Sequence, residues 1–150
     1  MADCRTEIAD RLSRLQALGA RLASLERHLA RPRRPLAVVS EAFALAIKAG
    51  VDPAKVREAL LGGFAASRVL EVHGERILNN NYTPGFRAQL YGKDMRIAAE
   101  TLAANETPAP VSAVVQDLVA ALIARGRGDM DYSALATVLF DLAGVEVRQP

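Results

Sequence analysis

The stretch "LAVVSEAFALAIKAGVDPAKVREALLGG", Leu36 to Gly63, decides the fold. Leu36, Val39, Phe43, Ala46 and Ile47 recur at steps of three and four, which is one face of a helix with 3.6 residues per turn. Gly50 ends that helix, because glycine takes the left-handed cap conformation without steric cost. Asp52 can accept from the free N–H groups of a new first turn, Pro53 suits the first helical position, and Gly62 and Gly63 end the run. The punctuation therefore predicts two consecutive helices, the second over Pro53 to Leu61.

Downstream the same period continues. "FAASRVLEVHGERILNNN" carries Val69, Leu70 and Ile77 as apolar positions around Gly74, which predicts two short helices or one kinked helix. "NNNYTPGF" is a turn-rich loop. "FRAQLYGKDMRIAAE", Phe86 to Glu100, predicts a helix to about Asn105 with Phe86, Leu90, Ile97, Leu102 and several alanines as its apolar positions. "ETPAP" breaks the chain, and Pro110 opens "VSAVVQDLVAALIARGRG". Its valines and leucines cover more than one face, as in a helix buried between neighbours or in a subunit interface. "GRGD", Gly126 to Asp129, is a turn. "MDYSALATVLFDLAG" starts at a capping Asp131 or Ser133 and stops at Gly144. No segment alternates as a strand does, so the expected class is all-α, a helical bundle.

Upstream the composition changes. Residues 1–35 carry eight arginines against four acids, a balance of +4 in a chain whose total is +2, which leaves −2 for residues 36–150. Ile8, Leu12, Leu15, Leu18, Leu22, Leu25 and Leu29 form one apolar stripe, and the two prolines of "ARPRRP" mark a boundary near residue 35. Two units are expected: a basic amphipathic helix with a Pro/Arg linker over 1–35, and a helical substrate and dimerisation domain over 36–150. Acids dilute the arginine patch and no aromatic residue interleaves it, which argues against nucleic acid and for an interaction helix.

Composition excludes several classes of function. The chain is 51% hydrophobic and has no apolar run long enough to cross a bilayer, so a soluble cytoplasmic protein is expected. Cys4 is the only cysteine, which rules out an intrachain disulfide or a cysteine zinc cluster. His28 and His73 are far apart, and no His/Asp/Glu grouping has metal-ligand spacing. Ser67, Ser112 and Ser133 lack a nearby base, so capping or packing is the reading for each. "LLGGFAAS" follows a helix rather than a strand and is not a dinucleotide phosphate loop.

"KAGVDP", then "GG", then a serine followed by "LEVHGER", then "GF", then "KD", then the proline, the apolar helix and "GDMDYSAL" stand in one order from about residue 36 to 144. In that order they resemble the C-terminal helical domain of the 3-hydroxyisobutyrate dehydrogenase family, a domain of the 6-phosphogluconate dehydrogenase C-terminal type. The resemblance implies an oxidoreductase with NAD or NADP as cofactor, reducing 2-hydroxy-3-oxopropionate or a related semialdehyde to a hydroxy acid. It implies a homo-oligomer, a dimer, with a small hydroxy-acid or semialdehyde as partner. Lys93 and Asp94 match the family's lysine-aspartate motif, and Phe86 matches a position on the apolar side of the cleft; these three are the expected cofactor-binding residues. A fixed cation there suits a carboxylate substrate and a phosphate-bearing cofactor, and Asp94 either acts beside it or serves as an N-terminal helix charge.

The resemblance also identifies what does not match. The Rossmann domain with its glycine-rich turn has no counterpart in the 150 residues. The family's catalytic lysine, with an asparagine four residues later, should fall near Leu25 to Leu29, where "LERHL" offers neither. No catalytic residue is therefore assigned. The expectation is an incomplete oxidoreductase, inactive as this chain alone, with a shifted reading frame as one explanation of the foreign first 35 residues. The alternative is a non-catalytic helical oligomerisation module.

Overall fold

The computed structural model describes residues 33–147 continuously and, upstream, Ala9, Arg11, Leu12, Ser13, Arg14, Gln16 and Gly19. Most of the leucine stripe, together with Cys4 and His28, lies outside the described residues. Six α-helices follow from residue 33: α1 Arg33–Lys48, α2 Pro53–Leu61, α3 Arg68–Leu78, α4 Ala88–Ala104, α5 Pro110–Leu122 and α6 Leu135–Ala143. A π turn, Ile123–Arg127, kinked at Gly126, follows α5, and a 3-10 turn, Tyr132–Ala134, leads into α6. Among the described residues there is no strand, only one isolated bridge between Arg87 and Asp131, and the all-α expectation holds.

The helices begin and end where local chemistry requires. Asp52 accepts from the Ala54 N–H at 2.9 Å ahead of Pro53. The Ser67 hydroxyl accepts from the Leu70 N–H at 3.2 Å at the start of α3. Gly50 and Gly144, with φ of 71° and 61°, stop α1 and α6. Leu36, Val39, Phe43 and Ala46 of α1 are buried as the period predicts, against α3 and α6. Lys48 then donates to the Ala143 carbonyl at 2.6 Å, tying α1 to α6.

Three expectations are corrected. Pro35 does not precede α1 but lies in its first turn, where a missing N–H costs no intrahelical bond. Gly74 neither divides nor kinks α3, which runs unbroken from Arg68 to Leu78. A Cβ at Gly74 would stand 3.3 Å from Arg57 Cδ and 3.4 Å from Phe43 Cζ, so the glycine lets α2 and the core close on α3. The core face of α4 is Ala88, Tyr91, Met95 and Ala98 rather than Leu90 and Ile97, which are 50% and 41% exposed. Small and aromatic residues, not the aliphatic ones, face inward there because α4 lies close to its neighbours.

Arg57 cannot easily retreat from Gly74. It donates to the Leu70 carbonyl at 3.2 Å and the Glu71 carbonyl at 2.7 Å, and Phe43 is fully buried. Gly74→Ala should therefore destabilise the fold by about 1 kcal/mol, crowding outweighing the gain in helix propensity. A urea unfolding midpoint at or above that of the wild type would contradict this packing.

Candidate functional site

The polypeptide from Tyr82 to Phe86 crosses the segment from Gly128 to Ser133, and a single carboxylate holds the crossing. Asp131 is 1% exposed. Its Oδ2 accepts from the N–H groups of Gly85 at 3.0 Å and Phe86 at 3.1 Å, with Arg76 Nη1 at 3.8 Å. Its Oδ1 accepts from the Ser133 hydroxyl at 2.6 Å and the Ser133 N–H at 3.1 Å. The Asp131 N–H donates in turn to the Tyr82 carbonyl at 2.9 Å. Arg76 also donates to the carbonyls of Asn81 and Thr83. Asp131 was expected as a cap, and it is one, but it also fixes a second segment forty-five residues earlier in the chain.

Aromatic rings cover this carboxylate. The Tyr132 hydroxyl and His73 Nε2 share a 2.7 Å hydrogen bond, and the Tyr132 ring packs against His73, Phe86 and Tyr91 with centroids 4.9, 6.2 and 4.9 Å away. His73 Nδ1 is buried 4.0 Å from Asp131 Oδ1, too far for a hydrogen bond. An Asp-His-Tyr line has the look of a proton relay. Its carboxylate, however, is saturated by backbone and Ser133 donors and its rings pack into the core, so the arrangement does structural work.

That work positions α4. The N–H groups of Ala88 and Gln89 donate to the carbonyls of Met130 at 2.8 Å and Gly128 at 2.9 Å, so the segment fixed by Asp131 supplies acceptors to the start of the helix. From its first turn onward, α4 presents Gln89, Gly92, Lys93 and Arg96 to α5 and the π turn, which contribute Gln116, Val119, Ala120, Ile123 and Ala124. These residues enclose a groove of about 430 Å³, within the size range of small-ligand sites. Its floor is apolar and its rim holds two cations and two amides, with no acidic side chain among the lining residues. Gly92 sets its depth: a Cβ there would lie 2.9 Å from Ile123 Cδ1 and 3.5 Å from Val119 Cγ1.

The three residues singled out in the sequence do not converge at one point. Lys93 is exposed and lines the groove. Asp94, half-buried, stands in the second turn of α4, whose first turn holds no acid, so the reading as an N-terminal helix charge does not hold. Phe86 lies one residue before the N-cap Arg87, packed on Tyr132, outside the groove lining. Sequence reading missed Gln89, Arg96 and Gln116; the spacing of Gln89, Lys93 and Arg96 at i, i+4 and i+7 was the available signal. Among the described residues no group of three His, Cys, Asp or Glu could hold a metal ion, and no helix is long and apolar enough to cross a membrane. The segment near Leu25 to Leu29 lies outside the described residues.

Residues 35–139 match the family described as NAD-binding of NADP-dependent 3-hydroxyisobutyrate dehydrogenase. The chain belongs to the 3-hydroxyisobutyrate dehydrogenase family. The 2-hydroxy-3-oxopropionate reductase of Escherichia coli (strain K12) is 46% identical over 101 residues, covering 67% of this chain and 35% of that enzyme. A 3-hydroxyisobutyrate dehydrogenase of Mycobacterium tuberculosis, solved with L-serine, superimposes with a TM-score of 0.63 at 27% identity, over 71% of this chain and 39% of that one. The 3-hydroxyisobutyrate dehydrogenase of Salmonella typhimurium, at 22% identity and a TM-score of 0.65 over 84% of this chain and 41% of that one, shares the fold. The chain spans about a third of the length of the curated relatives it matches.

The carboxylate makes stability depend on pH in a defined direction. Burial alone would raise the Asp131 carboxyl, but donation from Ser133 and from the Phe86 and Gly85 N–H groups holds it below its ordinary 3.8. Its stabilisation is complete above 3.8 and is lost as pH falls through the lower folded value. His73 is pushed below 6.5 by burial, with Asp131 opposing and Arg76 assisting, so the folded state also loses stability as pH drops below 6.5. Asp131→Asn, which turns an amide N–H₂ toward donors, should cost roughly 3 kcal/mol at neutral pH. Urea midpoints measured from pH 7 to pH 3 should show a smaller further loss below pH 4 for the variant than for the wild type.

Proposed function

We propose that this chain carries the helical substrate and cofactor-facing part of an NAD(P)-dependent oxidoreductase that interconverts a semialdehyde and a 3-hydroxy acid, with 2-hydroxy-3-oxopropionate as the semialdehyde. The observation that carries the proposal is Lys93 at the rim of an acid-free groove, in the lysine-aspartate position that the family resemblance assigns to the site. A carboxylate substrate and a phosphate-bearing cofactor are both anions, and the residues present fit such groups. Lys93 would hold the anion, while Val119, Ala120 and Ile123 keep water from beneath it and so strengthen the charge. Asp94, adjacent on α4, and Phe86, packed before its N-cap, complete the proposed contribution.

Hydride transfer is the chemistry NAD(P) supplies when bound. No proton is routed through Lys93, because positioning an anion and protonating a carbonyl oxygen require different geometry. The family lysine and asparagine for that step correspond to the stretch near Leu25 to Leu29, which contains neither. In this reading residues 1–35 form a separate basic unit and 36–150 the substrate and dimerisation domain of a cytoplasmic homodimer. A second reading, a helical oligomerisation module without catalysis, is favoured by Val111 and Val114 of α5, which are 52% and 61% exposed.

The 150-residue chain should bind NADPH or glycerate, and Lys93→Ala should weaken that binding about fivefold, since an exposed groove cation contributes on the order of 1 kcal/mol. Calorimetric titration checks this, and undetectable binding to both proteins would remove the oxidoreductase reading for the isolated chain. NADPH oxidation by the same chain with 2-hydroxy-3-oxopropionate should not rise above the blank. Turnover at an ordinary enzymatic rate would contradict the assignment of the missing proton donor.

A further inference from the structure

We infer that Arg96 is a second anion contact in the Lys93 groove and makes it select ligands with two anionic groups over ligands with one. The inference rests on the proposal that this groove binds an anion through Lys93. Gln89, Lys93 and Arg96 form one row along α4 at i, i+4 and i+7, about 10 Å long at the helical rise. Across the groove Gln116 of α5 offers an amide, and the floor between is Gly92, Val119 and Ile123. A ligand lying lengthwise therefore meets a cation in the middle of the row and another near its end.

The arginines of the fold show why Arg96 stands apart. Arg57 pairs with Glu75, Arg68 with Glu71, Arg76 with Asp131, Arg87 with Asp129, and Arg125 and Arg127 with Asp141. Arg11 and Arg14 also have partners. Of the arginines with described side chains, Arg96 alone has neither an ion pair nor a hydrogen bond among the described residues, although Glu100 stands one turn along the same helix. Lys93 likewise has no partner among the described residues. Two unpaired cations one turn apart, with Cβ atoms about 5–6 Å from each other, repel mildly unless an anion lies between or across them. A guanidinium also presents a planar fork that matches a carboxylate or phosphate with two hydrogen bonds, which an ammonium cannot do. Lys93 thus supplies a point charge common to all anions, and Arg96 the oriented contact that only a second anionic group can use.

Succinate and butyrate, four-carbon acids differing in the second carboxylate, separate these roles on the full chain. At low salt, NMR titration of the wild type should show succinate binding about fivefold more tightly than butyrate, as one added exposed charge contact allows. Arg96→Gln should bring the ratio close to one and Arg96→Lys should restore part of it, whereas Lys93→Gln should weaken both acids. A ratio kept in Arg96→Gln, or a wild type without preference, would overturn the role of Arg96 while leaving the Lys93 reading in place. Binding of neither acid to the wild type would overturn both. Far-UV circular dichroism confirms that each exposed-site variant folds.

Discussion

A buried carboxylate is the constraint on which the described fold depends. Asp131 has almost no contact with solvent, and a charge so placed is tolerated only where donors replace the water it has lost. Those donors come from Gly85, Phe86 and Ser133, with Arg76 nearby, so the carboxylate joins α3, the loop before α4 and the turn before α6. Their mutual arrangement follows from how many N–H and O–H groups one side chain can satisfy.

The groove inherits its geometry from that junction. The loop carbonyls of Gly128 and Met130 take the first N–H groups of α4, and Tyr91 in its second turn stacks on Tyr132. The helix is thus anchored at its start and free along the face that carries Lys93 and Arg96. Depth on that face comes from an absence: without a side chain at Gly92, Ile123 can approach the backbone and leave the polar rim above an apolar floor. Rigid polar contacts lie inside and unsatisfied charges outside, an order suited to receiving a ligand without rearranging the bundle.

How much of this was legible in the sequence depended on whether a signal was local. Asp52-Pro53, Gly50, Ser67 and Gly144 announce helix ends through their own backbone chemistry, and each acts as expected. Lys93 could be singled out because a motif surrounds it. Gly74 was misread because the Arg57 and Phe43 atoms that require its missing Cβ belong to other helices. The inward face of α4 was misread because close packing selected alanine, methionine and tyrosine over leucine and isoleucine. Asp131 reads locally as a cap, and nothing nearby in the sequence reveals that Gly85 and Phe86 also depend on it. Arg96 was passed over because a lone arginine on a helix is common; only the pairing of its counterparts makes it unusual.

The π turn after α5 adds a restriction on chain length. Within Ile123 to Arg127 the chain kinks at Gly126, at φ 76°, and that turn brings the Arg127 guanidinium to Thr137 at 2.7 Å and Asp141 at 2.9 Å. Loss of one residue there would move the left-handed position off Gly126 and change the direction in which the chain leaves α5. Arg127 would swing away from α6, and the carbonyls of Gly128 and Met130 would leave the start of α4. Single-residue deletions, harmless in many interhelical turns, are therefore closed to this one as a route of evolutionary change, while substitutions that keep the count remain open.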